Sequence, residues 1–411
     1  DLFQAAIYHA ANGFPVMEMM HGVWDSAETR TSLASDKEAS RVFLPEGRAP
    51  RLGEIFRNPG LARAYRLIAD GGSAAFYRGP IAEAIIKTTR KYEGTLKASD
   101  LAGYSSEWVE PIATTYRGWT VYELPPNGQG IAALQMLNVM ENFPLGDYRP
   151  QSAEAMHLQI ESMKAAYADL KYVRDTRFGA VPVTGLLSKE YAKRRASLVD
   201  PAKAKCDYQT GDPAASGDTT YLSVVDKEGN IASLIQSISS AWGSGIAVEG
   251  MGFLLHNRGA SFEFDQSMAN VLVPGKRPRH TIIPAFMEKD DVRIGFGIMG
   301  GPNQPLAHAQ FVSNLVDFGM NIQAALDAPR FTKREIGGCN LYVEGRIPTE
   351  VRQALSGMGH QISVLEDFHG WMGRGQAVLR DSATGTSYGA SSPRGDGAAI
   401  PEPRDYFGGG K

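Results

Sequence analysis

Thr219 is the residue of this chain whose position best suits nucleophilic chemistry. Residues 219–225 alternate and are rich in threonine, tyrosine and valine, residues 231–239 alternate in the same way, and turn-forming residues at 226–230 separate the two runs. This pattern is typical of a β-hairpin. If the strands pair symmetrically about the turn, Thr219 lies opposite Ser237, with the two Cβ atoms roughly 4.5–5.5 Å apart. The sequence therefore predicts two hydroxyl groups that face each other on adjacent strands.

A hydroxyl group becomes an effective nucleophile only when a base removes its proton. In one known arrangement the base is the free α-amine of an N-terminal threonine, whose reference pKa of about 7.7–8.0 leaves part of it neutral at physiological pH. In an uncut chain that nitrogen is an amide and cannot accept a proton. Catalysis by Thr219 therefore requires cleavage of the Asp218–Thr219 bond, which we expect to begin with attack of the Thr219 hydroxyl on the Asp218 carbonyl.

Two adjacent glycines, Gly300 and Gly301, follow a run at 292–299 that has the composition of a strand. Because glycine has no side chain, consecutive backbone N–H groups can converge there on a developing oxyanion. In isolation the same pair would be read as an ordinary glycine turn. Its position downstream of Thr219 favours an oxyanion hole.

The motifs around these residues resemble, in order and approximate spacing, those of the γ-glutamyltransferase family. The matching segments are spread over nearly the whole chain, at 116–118, 123–126, 161–169, 219–230, 243–245, 252–257, 274–278, 299–301, 327–330 and 388–394. The resemblance implies an N-terminal-nucleophile hydrolase with an α+β fold, built as a four-layer αββα sandwich of two stacked sheets between helical layers. It also implies a precursor that cuts itself into a large subunit, residues 1–218, and a small subunit, residues 219–411, which remain together.

By matching position, the resemblance assigns catalytic roles to four residues. Thr219 is the nucleophile and base, Ser237 is its hydroxyl partner, and Gly300 and Gly301 are the donors of the oxyanion hole. Arg394 is expected to hold the small subunit together.

The chain departs from the family where a true γ-glutamyltransferase holds the α-amino and α-carboxylate groups of glutamate. The residues at these positions, which we predict to bind substrate, are Ser239, Arg258, Ser261, His280 and Thr281. No aspartate remains there to pair with an α-ammonium group, and Arg258 suits a small acyl group that ends in a carboxylate. The alternative is that Arg258 pairs with Glu263 or Asp265 and does not meet the substrate.

The residues around His280 and Gly301 resemble a subgroup that includes cephalosporin-type acylases and oxamate amidohydrolase. The function that follows is a self-processing amidohydrolase that cleaves a small, carboxylate-bearing acyl amide through a threonine acyl-enzyme. One alternative is a genuine γ-glutamyl hydrolase or transferase that acts on glutathione-like substrates. A second alternative is a non-catalytic relative that never cuts itself.

Composition sets limits on partners and cofactors. The chain has 411 residues, 43% of them hydrophobic, and a net charge of −3. This balance offers no basic surface for nucleic acid, and no apolar run is long enough to span a membrane. The scattered histidines predict no metal site, no other cofactor is expected, and Cys206 and Cys339 are expected to be unpaired thiols. The resemblance leaves a homodimer of heterodimers open.

Helical periodicity predicts the helices around the site, at 1–13, 59–69, 81–92, 130–142, 153–172, 321–328 and 351–358. We place the four helices between residues 59 and 172 mostly in the outer layers. Residues 198–218 are polar and rich in proline and glycine, as an exposed linker would be. The first helix is expected to begin inside a domain. The sequence therefore does not reveal whether a signal peptide precedes it, or whether the protein is cytoplasmic or periplasmic.

Overall fold

The computed structural model describes residues 2–206, 218–333 and 337–401. These residues form two units. The first contains residues up to Trp108 together with Ile238–Asn257, and the second contains Val109–Ser237 together with the residues from Arg258 onward. Each unit therefore takes residues from both sides of Thr219. Most of the predicted linker at 198–218 lies outside the described residues.

The first unit is mainly helical, and its returning segment 238–257 is held by capping side chains. Asn58 accepts from the Leu61 N–H at a helix start and donates to the Gly252 carbonyl, at 3.0 and 2.7 Å. Its elements are α1 (Gln4–Asn12), β1 (Phe14–Pro15), α2 (Glu18–Trp24), α3 (Ala27–Ala34), α4 (Lys37–Phe43), β2 (Ile55–Phe56), α5 (Pro59–Tyr77), α6 (Pro80–Lys91) and α7 (Ala98–Ala102).

The second unit mixes strands and helices and contains most of the predicted site. In chain order its elements are β3 (Ile112–Tyr116), β4 (Trp119–Glu123), α8 (Gly130–Met140), α9 (Ala153–Tyr167), α10 (Val183–Leu186), α11 (Lys189–Ala196), β5 (Asp218–Val225), β6 (Ile231–Ser239), β7 (Ala285–Lys289), β8 (Val292–Met299), α12 (Gln304–Val316), α13 (Ile322–Asp327), β9 (Phe331–Thr332), β10 (Asn340–Glu344), α14 (Thr349–Gly357), β11 (Gln361–Leu365), β12 (Arg374–Asp381) and β13 (Thr386–Ser391). The last two residues of β6 belong to the first unit.

A six-stranded antiparallel sheet runs through the centre of the second unit, in the order β13-β12-β8-β7-β4-β3. Strand β4, which precedes Thr219, pairs with β7, which follows it, through Val121 opposite Met287 and its neighbours. The three-stranded sheet β11-β10-β9 and the hairpin β5-β6 are separate sheets. Main-chain hydrogen bonds therefore join segments from both sides of the predicted cleavage point.

The hairpin β5-β6 packs face to face on β8, and two glycines of β8 make the close approach possible. A Cβ atom on Gly297 would lie 2.4 Å from the ring of Tyr221, and one on Gly295 would lie 2.5 Å from Cγ2 of Ile231. Any larger residue at these two positions would push the sheets apart. The intervening residue, Phe296, faces the opposite side, where its ring centroid is 4.9 Å from that of Phe311 in α12.

The helical layer behind the sheet is built from α8, α9, α11 and α12. Every residue of α8 is buried, because α9, α11 and α12 surround the faces of α8 that the sheet does not cover. The predicted helices at 130–142 and 153–172 correspond to α8 and α9, which both belong to this helical layer. The α+β class and the face-to-face sheets agree with the sequence-based prediction.

The two cysteines correct one prediction. Cys206 and Cys339 form a disulfide, with their Cα atoms 4.9 Å apart, although 133 residues separate them in sequence. They meet because the Gly338 N–H donates to the Cys206 carbonyl, at 3.1 Å, which aligns the two chain segments. Such a pairing depends on tertiary contacts, so spacing in the sequence could not reveal it.

Among the residues described, none of the helices combines the length and apolar character needed to cross a bilayer.

We expect Gly297→Ala to destabilise the protein, because its added methyl group would overlap the Tyr221 ring between two packed sheets. Overpacking of this kind costs about 1–3 kcal/mol. The matched control is Gly185→Ala, where an added Cβ would meet nothing within 4 Å. Thermal unfolding followed by circular dichroism measures both. Equal melting temperatures for the two variants would contradict the tight sheet contact.

Candidate active site in the second unit

Thr219 lies near the start of β5, on the face of the hairpin that points into the protein. Its exposed fraction is 6%, whereas the neighbouring Thr220 is exposed. Ser237 is assigned to the inward-facing set of β6 by continuing the alternation of that strand, in which residues 231, 233 and 235 are each less exposed than the residue after them. The predicted alternation is therefore confirmed along β5 and along β6 up to residue 236, and its continuation puts both hydroxyl-bearing residues on the same face.

The turn of the hairpin supports the predicted pairing. The Asp226 N–H donates to the Asn230 carbonyl at 3.0 Å, so the hairpin closes at the residues where a symmetric register requires it. The Tyr221 hydroxyl lies 2.8 Å from the Ser233 hydroxyl, on the same inward face. Continued without a bulge, this register brings Thr219 opposite Ser237.

The contacts between β8 and the hairpin run toward the end that carries Thr219. Gly295 lies under Ile231, next to the turn, and Gly297 lies under Tyr221, further from it. A strand advances about 3.3 Å per residue, so the next residues of β8 continue toward the open end of the hairpin. Gly300 and Gly301, which follow β8, are thereby directed toward Thr219.

Gly300 and Gly301 have a backbone that glycine adopts readily. Their φ angles are 146° and 59°, in the range that side chains disfavour, and Gly301 is buried. A Cβ atom on Gly300 would also lie 3.3 Å from the Cα atom of Gly373. Arg330 is buried and donates to the Gly373 carbonyl at 2.8 Å, which supports this neighbour of Gly300.

Gln129 is a residue of the site that sequence reasoning missed. Its side-chain amide donates to the carbonyls of Thr281 and Gly301, at 2.9 Å each. One amide group thus joins the predicted oxyanion segment to a predicted substrate-binding segment. The available signal was a polar residue directly before the uniformly apolar start of α8, close to the family-like residues 123–126.

Arg258 connects three of the predicted site residues. Its guanidinium donates to the Ser237 hydroxyl at 2.9 Å and to the Thr281 hydroxyl at 3.1 Å. The Ser261 hydroxyl donates to the Arg258 carbonyl at 2.9 Å. Burial lowers the pKa of Arg258, but a guanidinium keeps its proton in proteins, so the group remains a partly desolvated cation. The carboxylate of Asp265, one of the two alternative partners, accepts from the N–H and the hydroxyl of Ser267.

His280 adds a neutral imidazole to this cluster. Burial, with a further contribution from the charge of Arg258, lowers the pKa of His280 to about 4. The ring is therefore uncharged at neutral pH, and its buried Nδ1 has no hydrogen-bond partner within the described ranges. Such a nitrogen can accept from, or donate to, a small polar ligand.

Ser239 is the one predicted site residue that falls in the first unit. It ends β6, is buried, and has a φ of 81°, a conformation that residues other than glycine seldom adopt. Hydrogen bonds thus join Ser237, Arg258, Ser261 and Thr281 in the second unit. Ser239 belongs to the first unit.

Comparisons with known proteins show what the chain is similar to. The family model for gamma-glutamyltranspeptidase matches residues 1–402. A glutathione hydrolase-like YwrD proenzyme from Bacillus subtilis is 34% identical over 411 residues, which cover 97% of this chain and 76% of the relative. An oxamate amidohydrolase proenzyme from Klebsiella pneumoniae is 32% identical, with 97% of this chain and 75% of the relative covered. The crystal structure of cephalosporin acylase from Bacillus halodurans superposes with a TM-score of 0.89 and 42% identity, over 96% of this chain and 73% of that one.

The fold and the site define a hydrolase or acyltransferase of the N-terminal-nucleophile type, and the predicted fold class is confirmed. The chain belongs to the gamma-glutamyltranspeptidase family.

We expect Gln129→Ala to lower kcat by about 10²-fold, the scale on which small misplacements of catalytic groups act, with little change in KM. The reason is that Gln129 positions groups that matter mainly in the transition state. Steady-state kinetics with any amide that the enzyme turns over provides the measurement.

The matched control for Gln129 is Gln135→Ala. Gln135 lies on α8, has the same exposed fraction of 3%, and donates to Asp169 at 3.0 Å, away from the site. Similar losses in the two variants would mean that Gln129 supports only the fold.

Proposed function

We propose that this protein is a self-processing amidohydrolase that cleaves small amides whose acyl group carries a carboxylate, through an acyl-enzyme on Thr219. The observation that carries the proposal is the Arg258 guanidinium, which donates to the Ser237 and Thr281 hydroxyls on the inward face of the site. A partly desolvated cation at this position can donate hydrogen bonds to a substrate carboxylate.

Processing comes first in the proposed reaction. The Thr219 hydroxyl attacks the Asp218 carbonyl, and the acyl group moves from the Thr219 nitrogen to its oxygen. Water then hydrolyses the resulting ester, which leaves a carboxylate on Asp218 and a free α-amine on Thr219. The products are a large subunit, 1–218, and a small subunit, 219–411. Strand pairing such as that of β4 with β7 supports their staying together.

Amide cleavage then uses the new amine. The α-amine takes the proton of the Thr219 hydroxyl, whose oxygen attacks the substrate carbonyl. The N–H groups of Gly300 and Gly301 hold the oxyanion of the tetrahedral intermediate, and Ser237 hydrogen-bonds to the Thr219 hydroxyl. The α-ammonium group returns its proton to the leaving amine. Water releases the acid by the same steps in reverse, or a second amine takes the acyl group.

The choice of a carboxylate-bearing acyl group rests on charge. Arg258 provides a positive group, His280 is neutral because its pKa is lowered to about 4, and Thr281 and Ser261 provide hydroxyls. Oxamate, the substrate in the name of one relative, has a carboxylate directly attached to its amide carbonyl. The names of other relatives, glutathione hydrolase proenzymes, make γ-glutamyl compounds the competing substrate class.

We expect Thr219→Ala to remain a single chain without amidase activity, and the wild type to yield a fragment that begins Thr-Thr-Tyr-Leu-Ser. Thr219→Ser should still cut itself, since it keeps the hydroxyl. Intact mass and N-terminal sequencing provide the measurement. The control is Thr220→Ala, which alters the adjacent residue on the exposed face of β5 and should be cut and active. Cleavage of the Thr219→Ala variant at this bond would refute the proposed nucleophile.

We expect Arg258→Ala to lower kcat/KM for oxamate by about 10–100-fold, the scale of a hydrogen bond to a charged group. Oxamide is the matched substrate, because it replaces the carboxylate with a neutral amide, and its turnover should change much less. Arg293→Ala removes an exposed arginine of β8 and is the control variant.

The pattern of losses identifies the role of Arg258. Equal losses for oxamate and oxamide would mean that Arg258 acts through Ser237 and does not bind a carboxylate. Faster turnover of a γ-glutamyl anilide than of oxamate, undiminished in Arg258→Ala, would instead assign the enzyme to γ-glutamyl substrates.

A further inference from the structure

The disulfide occupies a particular place relative to the proposed cleavage point. Cys206 precedes the Asp218–Thr219 bond and Cys339 follows it, and their Cα atoms lie 4.9 Å apart, within the usual disulfide range. In the proposed mature enzyme, one sulfur therefore belongs to the large subunit and the other to the small subunit.

Main-chain hydrogen bonds hold the two cysteine segments together. The Cys206 carbonyl accepts from the Gly338 N–H at 3.1 Å, and the Ala204 N–H donates to the Met358 carbonyl at 2.7 Å. The Cys339 carbonyl in turn accepts from the Gln361 N–H at 2.7 Å. The sulfur atoms are thus brought together by ordered backbone, and they are not an incidental surface contact.

A buried polar cluster anchors the segment that leads to Cys206. On α9, the imidazole of His157 bonds the Asp200 carbonyl at 2.8 Å, and Lys164 donates to the Lys205 carbonyl at 3.0 Å. Glu161 bonds Lys164 at 2.6 Å and accepts from the Lys205 N–H at 3.3 Å. The other ring nitrogen of His157 bonds His360, at 2.8 Å.

Three side chains of this cluster, His157, Glu161 and His360, are of types that can bind a metal ion and lie close together. The ring nitrogens of His157 and both oxygens of Glu161 already have protein partners, and one partner is the Lys164 cation. We therefore interpret the cluster as an anchor for residues 200–206. Cleavage at Thr219 breaks the chain beyond this anchor and leaves the attachment of Cys206 unchanged.

From this arrangement, and resting on the proposed self-cleavage, we infer that the mature large and small subunits are covalently tethered by the Cys206–Cys339 disulfide. The tether forms when the two thiols pass two electrons and two protons to a disulfide-carrying oxidoreductase. Such oxidants act in secretory and periplasmic compartments, where disulfides persist. The inference therefore places maturation outside a reducing cytosol.

A tether changes the physics of reassembly after cleavage. Two separate subunits must find each other by diffusion, so their refolding yield depends on protein concentration. Tethered subunits meet at an effective concentration on the order of millimolar, whatever the dilution. The disulfide would thus allow a cut enzyme to recover from unfolding even when it is scarce.

The test uses wild-type protein from an oxidising compartment, with free thiols blocked by N-ethylmaleimide before denaturation. On a reducing gel we expect two fragments, 1–218 and 219–411. Without reductant we expect one species, whose intact mass equals that of the uncut chain plus one water molecule. Peptide mapping without reductant should recover a peptide that links Cys206 to Cys339.

The outcomes separate the two proposals. One band under reducing conditions would refute the self-cleavage and leave the disulfide to be judged by peptide mapping. Two bands both with and without reductant, or free Cys206 and Cys339 labelled by N-ethylmaleimide, would refute the tether and leave the cleavage intact. Cys339→Ser should be cut but separate into fragments without reductant. If that variant does not fold, Cys206→Ser, which changes the exposed partner, tests the same point.

Refolding gives an independent measurement. We expect the recovered activity of denatured, cut wild type to be constant over a 100-fold dilution series without reductant, and to fall with dilution once reductant is present. A yield that depends equally on dilution in both conditions would overturn the tether.

Discussion

The close contact between the hairpin β5-β6 and strand β8 is the constraint on which the site depends. Gly295 and Gly297 allow Ile231 and Tyr221 to lie directly on the backbone of β8. This contact sets the distance between the sheets and orients the end of β8 toward the hairpin end that carries Thr219. The proposed nucleophile and the proposed oxyanion donors come from different sheets, so an error in the sheet spacing would change the distance between them.

A buried histidine–glutamate pair also supports the strand that ends at the glycine pair, on the side away from the hairpin. His308 on α12 accepts from the Ile298 N–H at 3.0 Å and bonds Glu123 at 2.8 Å. Burial lowers the pKa of His308 to about 3 and raises the pKa of Glu123. A neutral imidazole thus serves as an acceptor beneath β8. Arg258, by contrast, keeps a charge where it donates to the hydroxyls of Ser237 and Thr281.

The parts of the chain on either side of Thr219 share their main structural supports. Strand β4 pairs with β7, Gln129 bonds Gly301, and Cys206 joins Cys339. Arg394, which we predicted to hold the small subunit together, is fully buried and donates to both carboxylate oxygens of Glu344, at 2.6 and 2.7 Å. A single backbone cut near Thr219 would therefore leave strand pairing, hydrogen bonds and a disulfide between the two parts.

Local pattern was enough to predict the elements that carry the site. Strand β8 was predicted at 292–299, its observed bounds, and the hairpin turn closes where the alternation of Val, Thr and Ser residues required. The helices at 81–92 and 130–142 were predicted to within two residues at each end. These features follow from the order of neighbouring residues, since periodicity and turn chemistry act over a few positions.

The nucleophile candidate, the glycine pair and the unusual Arg258 could be identified from the residues alone. The fold class followed from the family motifs. The folded structure was needed to show that Gln129 hydrogen-bonds two segments of the site, that His280 is neutral, and that Cys206 pairs with Cys339. Each of these depends on groups that are distant in sequence, or on burial, and both arise only when the layers pack. Periodicity reports which face a residue occupies, and it contains no information about which distant residue will lie opposite.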